Sequence, residues 1–387
     1  MGNITKQPTE VEVFTRADLG DLTGKRVGLM TNHTGRTRSG ESTIDVLRRD
    51  ARIRLVSLFA VEHGIRGTAE AGERVTSSTD EKTGLPIHSL YDATGNFRPT
   101  IPMMREIDAL VFDIQDIGSR YYTYVWNMIL AMEVAAELRK TFVVLDRPNP
   151  IGGELVQGRL RNRRDHVGLY PVTMRHGLTA GELARWVNGE FRIGADLRVI
   201  PMEGWRRSMW WDETGISWVA PSPNMPSLES AAHYPGTCLF EGTSLSVGRG
   251  TPLAFQQIGA PWLKAGDLAR RLTEKKLPGV RVEPVRFTPE KPGDNKFAGQ
   301  AVEGLRFHVT DRRRYDPAIT AIHALVEIRR LHGDSLRFSQ AHFDRLAGSP
   351  NVREQILAGA AAESITRDWG EQVASFERSR APYLLYR

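Results

Sequence analysis

Four short stretches of this 387-residue sequence place ionisable and hydrogen-bonding side chains directly after apolar, β-branched runs. TNHTG carries Asn32 and His33, and EHGIRG carries Glu62, His63 and Arg66. FDIQDIGSRYYTY carries Asp113, Gln115, Asp116, Arg120 and Tyr122, and LDRPNPIGG carries Asp146, Arg147 and Asn149. Glu62 points most directly to chemistry. It follows LFAV, and apolar surroundings disfavour the charged form of a carboxylate, which suits a proton donor near neutral pH. The glycines after it allow a ligand to come close. The other stretches also have structural readings: TNHTG as a turn, Asp113 and Asp116 as helix caps or partners of Arg120, DRPNP as a turn that sets chain direction.

Positioning those residues requires the elements before them. RVGLM (26–30), RLVSLFA (54–60), IDALVFDI (107–114), TFVVLD (141–146) and DLRVIPM (196–202) read as strands. STIDVLRRD, YVWNMILAMEVAAELRK and TAGELARWVNGE read as helices, the last opened by a Thr179/Glu182 capping box. This alternation implies an α/β fold with a mostly parallel sheet covered on both faces. Ligands bind such sheets beyond the carboxyl ends of the strands, so the four loops should converge on one crevice. Arg175 and His176, just before the Thr179 helix, are placed to face it.

SWVAPSPNMPSLESAAHYPG (217–236), with Pro221, Pro223, Pro226 and Pro235, resists helix and central strand alike and reads as an ordered crossing between domains. The expected division is a larger domain over 12–228 and a smaller α/β domain over 229–387. The second half holds TCLFEGTSLSVGRGTP, with Glu241 and with Arg249 in a glycine turn that suits an anion or a plain hairpin. A helix around AGDLARRLTEKK, strands near VRVEPVRF and VEGLRFHVTD, and helices from Pro317 onward follow.

A content of 40% hydrophobic and 25% charged residues is that of a soluble globular protein. No window approaches the roughly 18 consecutive apolar residues of a membrane span. MGNITKQPTEVEVF lacks the succession of a signal peptide. Cys238, a single cysteine, excludes an internal disulfide framework and a multi-cysteine metal site, and is expected in the core. The net charge of +6 is dispersed; RLRNRRDH (159–166), its densest cluster, reads as a solvated loop, so no nucleic-acid partner is expected. G-x-G-x-x-G after the first strand, G-x-x-x-x-G-K-[ST], H-E-x-x-H and G-x-S-x-G are all missing, so neither cofactor nor metal is expected.

The ordered set EHGIRG, FDIQDIGSRYYTY, LDRPNPIGG, GLYPVTMRHGLTAGELA, PSPNMPSLESAAHYPG and EGTSLSVGRGT resembles the bacterial exo-β-N-acetylmuramidases, from about Val27 to Asp311. FAVEHG and TNHTG depart from the more usual small residue or proline before the glutamate and from TNPTG. The resemblance implies a Rossmann-like first domain, a smaller α/β second domain and an active site in the cleft between them. It implies release of N-acetylmuramic acid from the non-reducing end of peptidoglycan fragments, in the periplasm or outside the cell, while the lack of a visible signal peptide leaves the cytoplasm open as the alternative. It makes Glu62 the general acid, with His63, Asp113, Asp116 and Glu241 as further catalytic candidates. Asn32, Arg66, Gln115, Arg120, Tyr122, Asp146, Asn149, Arg175, His176, Asn224 and Arg249 are the substrate-binding candidates. The second catalytic group stays open between Asp113, Asp116, Glu241 and the substrate's own N-acetyl group. The competing functional reading is a non-catalytic module that binds anionic wall fragments or nucleotides.

Overall fold

The apolar runs form strands where expected. In the computed structural model, which describes residues 22–66, 77–91, 97–161 and 164–387, they are β1 (Arg26–Thr31), β2 (Arg54–Ala60), β5 (Ala109–Asp113), β6 (Thr141–Leu145) and β7 (Asp196–Ile200). Two short strands, β3 (Ser78–Thr79) and β4 (Pro86–Ser89), complete a seven-stranded sheet of order β3-β4-β2-β1-β5-β6-β7. Every pairing is parallel except that of β3 with β4. The amino-terminal stretch, the expected domain start at residue 12, Gly67, and residues 162 and 163 of the basic cluster lie outside the described residues.

Both sheet faces are buried, and the period-two alternation of the strands divides their side chains between them. Val27, Leu29, Leu58, Val111 and Val143 pack on one side with α1 (Thr43–Arg49). Met30, Phe59, Leu110, Phe112, Phe142 and Val144 pack on the other, against α2 (Ile101–Arg105), α3 (Tyr124–Glu137) and α4 (Ala180–Glu190). The capping box of α4 forms: the Glu182 amide donates to Thr179 Oγ1 at 3.1 Å, and the Thr179 amide donates to Glu182 Oε2 at 3.1 Å.

The proline-bearing stretch differs from expectation in its second half, where α5 (Leu228–Thr237) is helical and contains Pro235. Ser227 caps it by accepting from the Ser230 amide, and Pro235 lies in the last turns, after the helix is established. The smaller lobe is a three-stranded antiparallel sheet of order β8-β10-β9, from β8 (Gln257–Ala260), β9 (Val280–Phe287) and β10 (Val302–Val309). Packed with it are α6 (Ala265–Glu274), α7 (Pro317–His332), α8 (Gln340–Ala347), α9 (Pro350–Leu357), α10 (Ala362–Ile365) and α11 (Trp369–Arg380). Cys238 is buried as a core residue. The chain end returns to the large sheet, where the Tyr386 hydroxyl donates to Asp146 Oδ2 at 2.7 Å. Among the described residues no helix is long and apolar enough to cross a membrane.

The carboxyl ends of β1, β5 and β6 are tied by one buried ion pair. Arg147 donates from Nε to Asp113 Oδ1 at 2.6 Å and from Nη2 to Asp113 Oδ2 at 3.1 Å, and both residues are almost fully buried. Thr43 donates to the same carboxylate, and Thr31 donates to the Asp113 carbonyl at 2.8 Å. Removing one partner of a buried pair leaves an uncompensated charge, at a cost of about 3–5 kcal/mol. Arg147→Met is therefore expected to lower unfolding stability by about that amount, measured by urea titration. Asp113→Leu in the same background should recover part of the loss; a single variant as stable as wild type would remove the pair from this role.

Candidate active site

Glu62 stands two residues beyond β2, at the carboxyl edge of the sheet, and is only half-buried. Its Oε2 accepts from the Thr123 hydroxyl at 3.0 Å. Thr123 is the N-cap of α3, yet its side chain makes no cap bond to the helix and turns to the glutamate instead. Glu62 thereby stands beside the N-terminal, positive end of a 14-residue helix. The Tyr91 hydroxyl also bonds the Glu62 carboxylate, and burial followed by that negative charge raises its pKa.

The turn after Glu62 is unusual in its backbone. His63 has φ of 69° and Gly64 has φ of 71°. Glycine adopts this left-handed region freely, whereas histidine does so at a cost, a pattern typical of sites whose geometry is held by their surroundings. His63 is buried, with its ring edge-on to Tyr124 at 6.4 Å.

Across from Glu62 stands the smaller lobe. The two lobes enclose a cavity of about 160 Å³ lined by Glu62, His63, Tyr122, Asn224, Glu241 and Arg249, with Tyr121, Thr123, Tyr124, Ser222, Met225, Tyr234 and Phe255. Its wall is a run of edge-to-face aromatic contacts: Tyr124 with Tyr122 at 5.0 Å, Tyr122 with Tyr234 at 6.0 Å, and Tyr234 with Phe255 at 4.6 Å. Arg249 lies over Phe255, 5.2 Å from the ring centre, and donates from Nε to Glu241 Oε1 at 2.8 Å. Burial opposes ionisation of Glu241, but the combined pull of Arg249, His342 and Lys296 outweighs it and holds the carboxyl below its ordinary range. The cavity thus has an ion pair on one side and Glu62 on the other.

The remaining candidates stand outside this lining. Asp113 is the buried partner of Arg147. Asp116 is buried, its Oδ2 accepting from the Gly118 amide at 2.7 Å and standing 3.8 Å from Nε2 of His176. Gly118 has φ of 76°, and a Cβ there would stand 2.3 Å from Oδ1 of Asn149, so only glycine permits this approach. Asn149 in turn donates to the Leu178 carbonyl, and Gln115 donates to the carbonyls of Asp116 and Pro148. Asn32 accepts from Thr34, beside the Tyr124 hydroxyl. Arg120 is fully buried and donates to the carbonyls of Arg159, Val172 and Leu346, strapping the large lobe to α8. Arg175 is likewise buried, bonded to Gln157 and the Ile151 carbonyl; Arg66 is exposed and paired with Asp80 at 2.6 Å. Asp146 accepts from Thr179, Gly181 and Tyr386.

Residues that sequence reasoning passed over also gather here. Thr123 and Tyr91 hold Glu62, while Ser222, Tyr234 and Phe255 close the cavity. His166 ends the basic cluster read as a solvated loop, but its ring stacks on Phe97 at 3.5 Å and 9°. Burial pushes it down to about 4, against the opposing charge of Glu62. No local pattern announces a histidine that is about a hundred residues from the glutamate it faces; proximity here is made by the fold alone.

A doubly wound sheet and a second lobe closing over a carboxylate, an arginine and tyrosines make an α/β protein with a polar cleft between its lobes. Models of the N-terminal and C-terminal parts of exo-β-N-acetylmuramidase NamZ match residues 27–229 and 232–386. The chain belongs to this family. It is 43% identical over 368 residues, 94% of its own length and 88% of the other, to the peptidoglycan β-N-acetylmuramidase NamZ of Bacillus subtilis (strain 168). Crystal structures of two DUF1343 family proteins of Bacteroides fragilis NCTC 9343 share the fold, each matching over 99% of both chains. One has 35% identity and a TM-score of 0.91, the other 32% and 0.78.

The Asp116 carboxyl, pushed up to about 7 by burial against the donors of Gly118 and Ile117, supplies a pH test. Burial also pushes the neighbouring His176 down to about 3. Folded Asp116 keeps its proton to about 7, whereas an unfolded aspartate releases it near 3.8. The stability it contributes is therefore complete below the unfolded value and lost as pH rises through about 7. Asp116→Asn removes that dependence. By scanning calorimetry, the Tm of the variant relative to wild type should rise between about pH 5 and about pH 8; a constant difference would show that Asp116 is ionised throughout.

Proposed function

We propose that this chain hydrolyses the glycosidic bond that joins a terminal N-acetylmuramic acid to the rest of a peptidoglycan fragment, working from the non-reducing end in the periplasm or outside the cell. The observation that carries this reading is the shared cavity of Glu62 and Arg249, contributed by different lobes and joined by a tyrosine wall. Glycoside cleavage requires an acid to protonate the leaving oxygen and stabilisation of an oxocarbenium-like transition state. Glu62 takes the first role, oriented by Thr123 and Tyr91. The ring oxygen and anomeric carbon then lie toward the tyrosines, whose faces suit a sugar ring.

N-acetylmuramic acid differs from N-acetylglucosamine by a lactyl carboxylate, a group that a guanidinium fork recognises well. Arg249 is the arginine for it, because Arg66, Arg120 and Arg175 are engaged outside the cavity. Glu241 holds Arg249 through Nε and Nη2, leaving Nη1 for the substrate. Asn224 and Tyr122 complete the binding surface. Of the carboxylates considered for the second catalytic role, Glu241 is the one that lines the cavity, with the substrate's N-acetyl oxygen as its competitor. A cavity of about 160 Å³, below the roughly 300–1,000 Å³ of drug-sized sites, supports capture of one terminal sugar rather than a chain interior.

Glu62→Gln is expected to fold normally and to lower turnover of a chromogenic β-N-acetylmuramide by about 10²–10⁴-fold. Near-normal turnover would remove Glu62 from the role, and saturable binding without turnover by the wild-type chain would replace hydrolysis with recognition alone. Arg249→Met should raise KM for the muramide by about tenfold or more while leaving binding of the corresponding glucosaminide unchanged. An equal loss for both sugars would place the lactyl contact elsewhere.

A further inference from the structure

A second cavity opens on the same sheet edge, at a place the proposed reaction does not use. Strands run outward from β1 to β2 and β4 on one side and through β5, β6 and β7 on the other, so the winding reverses between β1 and β5. In doubly wound sheets the crevice beyond the strand ends at this reversal is a preferred ligand position. Here it is a cavity of about 210 Å³ lined by Thr34, Arg36, Thr37, Arg38, Ser39, Gly40, Gln115, Arg147, Trp211, Ile216, Ser217 and Val219. The segment from Ile216 to Met225 separates it from the Glu62 cavity, lining one with Ile216, Ser217 and Val219 and the other with Ser222, Asn224 and Met225.

Three features of the lining describe its ligand. Three guanidinium groups face the cavity and, among the described residues, no acidic residue lines it. Arg147 is balanced by Asp113, but Arg36 bonds only through Nε to the His33 carbonyl and forms no ion pair among the described residues. Arg38 donates to the Thr214 carbonyl at 2.9 Å. Two buried polar atoms on lining residues also find no hydrogen-bond partner among the described residues: Oε1 of Gln115, 3% exposed, and Nε1 of Trp211, 5% exposed. An unmade bond at a buried atom is costly, so the first calls for a donor and the second for an acceptor. A hydroxyl group supplies both, and the Trp211 indole offers an apolar face to a sugar ring.

We infer that this crevice is a second binding site, for a small hydroxylated anion such as a sugar acid or sugar phosphate, with Arg36 and Arg38 holding the charged group and Gln115 and Trp211 bonding the hydroxyls. The site is independent of the proposed hydrolysis.

Titration calorimetry on the full chain tests it, with glucuronate, glucose 6-phosphate and inorganic phosphate as probes, while tryptophan fluorescence follows Trp211. Saturable binding of a sugar anion is expected in wild type and equally in Glu62→Gln and Arg249→Met. Arg36→Ala/Arg38→Ala should weaken it by about tenfold or more, and Ser39→Asp, which adds a negative charge to the lining, should weaken it too. Muramide turnover in the absence of the anion should stay within about twofold of wild type in both variants. Glucuronate against glucose 6-phosphate distinguishes carboxylate from phosphate as the preferred group. Binding that is lost in Arg249→Met and kept in the Arg36/Arg38 variant would place the anion in the catalytic cleft and overturn the proposal. Absence of saturable binding for all probes up to ~10 mM would overturn it as well.

Discussion

The buried pair of Asp113 and Arg147 holds the functional edge of this protein together. Parallel strands deliver their loops to one side of the sheet, where backbone groups leave the ladder and need other partners. Asp113 closes β5, Arg147 follows β6, and Thr31 and Thr43 bring in the end of β1 and the start of α1. Joining these loops through one carboxylate keeps their directions mutually consistent. The Glu62 loop sits on the adjoining strand, and its position inherits that order.

The cleft then depends on how the smaller lobe is seated. Arg120 is consumed in this task, its guanidinium donating to carbonyls of both lobes, and Tyr121 and Tyr124 donate to the carbonyls of Pro235 and Pro221. Those bonds fix the proline-bearing crossing against the aromatic loop after β5. With the crossing in place, Asn224 and Ser222 face the same cavity as Glu62, and Glu241 and Arg249 follow from the segment just beyond α5. The left-handed turn at His63 is held by the same neighbours, since its ring is packed against Tyr124.

Buried charge serves two different purposes along this edge. Asp113, Arg120, Arg175 and Asp146 are enclosed and bonded to framework groups, and their work is to shape loops. Glu62, Arg249 and Glu241 are bonded on one side and face a cavity on the other. A polar residue in a strand-end loop has either outcome available, and both leave the same type of residue in the sequence. This is why the loops after β5 and β6, rich in candidates, supply mainly framework, while a threonine at a helix cap and a histidine in a basic cluster stand close to Glu62.

Hydrophobic period and turn chemistry are local properties, so the strands, the helices, the Thr179 capping box and the α/β class were legible from the chain itself. Ordered motifs likewise carried the family resemblance and singled out Glu62. The crossing was legible only in part, because proline signals a break and α5 accommodates Pro235 near its end, where few helical bonds remain to be lost. Which residues share a cavity was decided by tertiary structure alone. Direction of a side chain depends on the register of β2 against β1, the seating of the second lobe and the partners each guanidinium finds. Those are contacts between residues tens to hundreds of positions apart, and a one-dimensional pattern holds no record of the distances between them.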